Sequence, residues 1–171
     1  MGNRFLVPSV TDRGLTLLSS TTLSGSSVTL SSLPQNYVNL RIYVRNFLPA
    51  TDAQEIRAQV NGDSAASRYA NAGTFNATAQ AYGNNYWALT QHNDNAVAIG
   101  TSMLELVDYT NTTTAKMILI QSHTVNGTTT SQYNFYSGAG VYNQTGAITS
   151  INLFTSSGNF TSGTLLLYGV R

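Results

Sequence analysis

The stretch YVNLRIYVR, residues 37–45, decides the fold. Val38, Leu40, Ile42 and Val44 alternate with Asn39, Arg41, Tyr43 and Arg45, so an extended chain turns one face apolar and the other polar. A period of two over nine residues is the signature of a half-buried strand. EIRAQV (55–60) repeats it, with Ile56, Ala58 and Val60 inward and Glu55, Arg57 and Gln59 outward. The Pro-containing NFLPATDA (46–53) between them predicts a hairpin. One register that keeps the charges outside sets Arg45 opposite Glu55 and Tyr43 opposite Arg57.

The same period runs outward in both directions. GLTLLSSTTL (14–23) and SSVTLSSLP (26–34) read as short strands broken at Ser24-Gly25. MLELVDY (103–109), AKMILIQS (115–122), SQYNFYS (131–137), ITSINLF (148–154) and GTLLLYGV (163–170) are further strands, separated by turns such as NTTT (111–114) and NGTTT (126–130). No window of helical length keeps an apolar stripe at 3.6 spacing. Many short antiparallel strands predict an all-β protein, an antiparallel β-sandwich of jelly-roll type.

The 171 residues suit one such domain, residues 15–171, whose closing strand is expected to be held by its ladder. Residues 1–14 have no strand partner and read as an extended N-terminal arm, with Phe5, Leu6 and Val7 as its apolar contacts. Residues 62–100 break the rhythm. They are rich in Ala and Asn, hold the single tryptophan, Trp87, and read as a long irregular insertion crossed by a weak strand near 86–91.

Charged residues make up 9% of the chain, against about 25% in a typical soluble protein. Its surface must therefore be built from Ser, Thr, Asn, Gln, Gly and Tyr, which desolvate cheaply and make neutral hydrogen bonds. A net charge of +1 without clustered Lys or Arg argues against nucleic acid as partner. The absence of cysteine excludes disulfides and thiolate metal sites. No run approaches the roughly 20 apolar residues of a membrane helix, and MGNRFLVPSVTDRG lacks the apolar region of a signal peptide. Leu6 stands where a myristoylation signal needs Ser or Thr.

Catalytic constellations find little support. His92 and His123 lie in unrelated contexts, and no G-x-S-x-G elbow accompanies the many serines. Asp12, Asp52, Asp63, Asp94, Glu105 and Asp108 show no ligand spacing, and HNDN (92–95) falls far short of a calcium loop. YSGAGVY (136–142) has glycines like a phosphate loop, but without a strand-to-helix context Gly138 and Gly140 predict a hairpin turn. Five N-x-S/T triplets, beginning at Asn76, Asn111, Asn126, Asn143 and Asn159, are expected by chance in so Asn- and Thr-rich a chain. The sequence predicts no enzyme, cofactor or metal. Tyr82, Tyr86 and Trp87 cluster around Asn84 and Asn85, a mixture that suits a subunit interface and, less well, a sugar ring.

Three stretches carry a resemblance: VTLSSLPQNYVNLRIYVR (28–45), the N-G-D turn at 61–63, and AITSINL (147–153) followed by SSGNF-x-x-GT-x-x-LYGV (156–170). Together they resemble a β-sandwich module of virion proteins of tailed bacteriophages, over about Leu15 to Arg171. None of these motifs is catalytic. The resemblance implies a capsid decoration (cement) protein, a homotrimer bound to the major capsid protein on the virion surface after synthesis in the host cytoplasm. The alternative it leaves is a carbohydrate-binding host-recognition module of a tail or fibre.

Overall fold

The computed structural model describes residues 14–127 and 133–171, which form two antiparallel sheets. The first half of the chain gives β1 (Leu15–Thr22), β2 (Ser27–Leu30), β3 (Asn39–Pro49), β4 (Ile56–Val60), β5 (Tyr69–Phe75) and β6 (Thr78–Asn84). The second gives β7 (Trp87–Ala88), β8 (Gly100–Val107), β9 (Lys116–Val125), β10 (Tyr133–Tyr142), β11 (Ile151–Thr155) and β12 (Phe160–Val170). The larger sheet has the order β1-β12-β3-β8-β9-β10-β5-β6, and the smaller β2-β11-β4-β7. The protein is an all-β sandwich.

Two hairpins, β5–β6 and β9–β10, stand outside an eight-strand pattern. Without them each sheet keeps four strands, β1-β12-β3-β8 and β2-β11-β4-β7. Every connection between consecutive strands of that set crosses to the opposite sheet, except the one from β4 to β7. This is a jelly-roll arrangement. The hairpins come from different connections, yet they meet through the β10·β5 ladder, in which Gly138 faces Gly73, and they widen one sheet to eight strands.

The period-two strands bury the faces that alternation predicts. Leu40, Ile42 and Val44 of β3 and Leu104 and Leu106 of β8 meet Ile56, Ala58 and Val60 of β4. Val38 is the exception: it precedes β3 and is 60% exposed. The predicted hairpin does not form. β3 pairs with β12 and β8, while β4 lies in the other sheet between β11 and β7. An amphipathic strand satisfies its inward face equally well in either sheet, so alternation cannot choose its neighbour. Glu55 accordingly pairs with Arg57 at 3.0 Å, and Arg41 with Glu105 at 2.6 Å.

Residues 62–100 are more ordered than their composition predicts. The N-G turn forms, with Asn61 and Gly62 both at positive φ and the Asp63 amide donating to the Val60 carbonyl at 2.9 Å. Two strands then extend the large sheet, and β7 joins the small one. The chain after β7 covers the inner face of the extension. There Asn71 Nδ2 donates to the Ala88 carbonyl at 3.1 Å, Thr124 Oγ1 to the Gln91 carbonyl at 2.8 Å, and the Asp94 amide to the Val125 carbonyl at 2.7 Å. YSGAGVY is the body of β10 and no turn.

Candidate interaction surface

The sequence-predicted contacts do not share a patch. Phe5, Leu6 and Val7 lie outside the described residues. Trp87 is fully buried, its indole N–H donating to the Val141 carbonyl at 3.0 Å and its ring set edge-on to Tyr69 at 5.1 Å. Tyr69 donates to the Asp63 carbonyl (2.7 Å) and Tyr142 to its carboxylate (2.7 Å), so the three rings lock the N-G-D turn to the extension. Burial pushes the Tyr69 phenol up to about 12. The Ala65 amide and then the Tyr142 hydroxyl hold the Asp63 carboxyl below its usual range. Trp87 belongs to the core and offers a partner nothing.

Tyr86 is half-buried beside the small sheet, under the Arg57 guanidinium at 4.1 Å and edge-on to Phe154. Tyr82 points to the same face of the large sheet as its partner Asn71, and burial raises its phenol. The aromatic cluster of the sequence is thus spread over a core, a small-sheet surface and the inner side of an edge strand.

What the fold assembles instead is an apolar outer face on the large sheet. The small sheet behaves ordinarily: Thr29, Asn152 and Gln59 form one outward polar row, Thr29 Oγ1 donating to Asn152 Oδ1 at 2.9 Å. The large sheet does not. Phe135 is 60% exposed, Leu17 53%, Met117 48% and Leu119 40%, all on that side. Met117, Leu119 and Val141 adjoin one another there, whereas Leu17 lies across the Arg41–Glu105 strip and Phe135 across the Gln121–Ser137 row.

The ladders order this face into rows. Val107, Met117, Val141 and Ala70 lie side by side across β8, β9, β10 and β5. The next row runs from Glu105 through Leu119, Ala139 and Ala72 to Ala81. From β9 to β6 these two rows carry no formal charge. Beyond the β9–β6 block, Glu105 accepts from Arg41 Nη2 (2.6 Å), Arg41 Nε (2.9 Å) and Asn39 Nδ2 (2.8 Å), an internally neutral strip. With Glu105 buried under these donors, the strip leaves no unpaired carboxylate on the face.

At the far end of β9 the rows change character. His123 stacks on Tyr133 at 5.0 Å and packs against Phe135 at 5.2 Å, beside a shallow groove of about 550 Å³ that Tyr43, Asn76 and Gln121 also line. His92 is carried by a different segment, with its ring 6.0 Å from Phe75. Among the described residues, no three His, Asp or Glu side chains come together as a metal set.

Comparison with protein-family models, with curated proteins and with solved structures gave no match for the chain. Part of the apolar face is marked in the sequence. MILI (117–120), which carries Met117 and Leu119, and LLLY (165–168) are unbroken apolar runs where a strand wetted on one side would alternate.

Proposed function

We propose that this protein is a non-enzymatic virion structural protein, a capsid decoration protein that stabilises a phage head by contact with the major capsid protein. The observation that carries the reading is the contrast between the two outer faces: polar on the small sheet, apolar on the large one at Met117, Leu119, Phe135 and Leu17. Burying apolar area gives roughly 25 cal/mol per Å², so a face of this kind favours a protein partner over solvent. Low charge and the resemblance of residues 28–45 and 147–170 to phage virion modules support the setting.

The groove beside His123, Phe135 and Tyr43 favours a second reading, a carbohydrate-recognition module, because stacked rings next to Asn76 and Gln121 suit a sugar. Quantitative protein mass spectrometry of purified particles separates the two. Hundreds of copies per particle, lost together with heat resistance when the protein is stripped, is the decoration result. A few copies at the tail, with glycan binding that Phe135→Ala abolishes, is the other.

A further inference from the structure

We infer that the outer face of the large sheet binds a second copy of this chain, sheet against sheet, about a two-fold axis near β9 and β10. The assignment rests on the reading above that this face is a protein contact; it gives the face to a second copy, and contact with the capsid then falls to the surfaces the pair leaves open.

Relief is the first argument. On the charge-free block, Met117 and Leu119 stand up from β9 and Val141 from β10 beside Met117, whereas the rest of that block is Ala139, Ala70, Ala72 and Ala81. A ridge beside a shelf is the shape that complements its own two-fold copy: the ridge of each chain lies on the shelf of the other. The shelf is a shallow groove of about 560 Å³, floored by Ala70, Ala72, Ala81 and Ala139 and walled by Met117 and Val141.

Chemistry and size agree with this. An isologous contact needs one surface that matches itself. Among the described residues, the outward row of the small sheet is polar, at Thr29, Asn152 and Gln59. A head-to-tail ring would set the apolar face against a different surface of the next copy, and the small sheet's polar row offers it no match, so the face favours a pair over the trimer expected from the sequence. With the axis near β9 and β10, five to six strands of each copy overlap; about 4.8 Å apart and about eight residues long at 3.3 Å each, they span roughly 630–760 Å², at the lower end of the range for a specific interface. Each partner in a specific interface of standard size contributes about 800 Å².

The full-length protein provides the test, by sedimentation velocity at micromolar concentration and by disulfide trapping. The expected species is a dimer, and Leu119→Lys, which sets a lysine beside Glu105 at an exposed position, should raise its dissociation constant about tenfold or more while the dissociated chain keeps the β-sheet circular dichroism of the wild type. The chain has no cysteine, so Leu119→Cys with Ala72→Cys is a clean trap. Within one copy these positions are two strands apart, about 9.6 Å, beyond the roughly 7 Å that a disulfide spans. Oxidation should therefore give a covalent dimer, and Thr29→Cys with Gln59→Cys on the polar face should not. A monomer, a trimer, a dimer indifferent to Leu119→Lys, or an untrapped 119/72 pair overturns the inference. A monomer still abundant on purified particles removes this inference and leaves the virion reading standing. A trapped dimer that purified particles lack does the reverse.

Discussion

Trp87 shows how a residue's chemistry and its position can point to different roles. A lone tryptophan among asparagines has the composition of a contact loop, and nothing local says that its indole will find the Val141 carbonyl on a strand 54 residues away. That pairing depends on the β10·β5 ladder, which no local pattern encodes. Trp87→Ala should therefore cost about 3–5 kcal/mol of unfolding free energy in a urea titration, as truncation of a buried aromatic does. A variant of unchanged stability would mean that the Trp87–Tyr69–Tyr142 packing is not what holds the N-G-D turn. The turn itself was legible at this scale, because Asn-Gly supplies the two positive φ values that a tight turn of this kind needs.

At the scale of elements, most strands were legible and their neighbours were not. Alternation at 38–45 and 55–60 located β3 and β4 and their buried faces, but a pattern of period two carries no label for the sheet a strand joins. The glycines of β10, expected in a turn, lie within a strand for a related reason. Gly138 serves a close approach within a strand, not a bend: an added Cβ would lie 2.5 Å from the Ala72 carbonyl oxygen and 2.6 Å from the Tyr136 hydroxyl. The carbonyl belongs to the neighbouring strand's backbone and cannot move aside alone. Gly138→Ala should destabilise by about 1–3 kcal/mol. Gly146→Ala, whose Cβ meets nothing within 4 Å, should stay within about 0.5 kcal/mol, and equal effects in paired denaturation curves would contradict the close approach.

For the whole molecule, the sandwich and its jelly-roll character followed from the strand count and turn spacing. The apolar outer face was legible only as two unbroken runs whose significance depends on knowing that nothing in the chain's described part covers them. The pH response is also a property of the whole core. Burial raises the phenols of Tyr69, Tyr82, Tyr109, Tyr136 and Tyr142. A raised folded-state value favours the native protein below the unfolded value of 10.0, and that contribution is lost as pH climbs through the folded value, about 12 for Tyr69. Lys116, which burial lowers from 10.5, works the other way, its cost being relieved as pH rises. With five phenols against one amine, stability should fall above about pH 10. Tyrosinate absorbance should then rise in two stages, exposed rings first and buried rings together with unfolding. A single rise near pH 10 with the fold intact would show that the buried phenols are accessible.

The place of β12 has a consequence for how the chain is made. This strand is last in sequence, yet it lies between β1 and β3, both formed from the first 49 residues. At about 5–20 residues per second, a ribosome needs on the order of ten seconds to pass from Pro49 to Phe160. Throughout that interval β1 and β3 have open edges and no partner between them. The sheet cannot close during synthesis until its final strand emerges, so a nascent chain of this protein is a natural client for chaperones that shield unpaired strands.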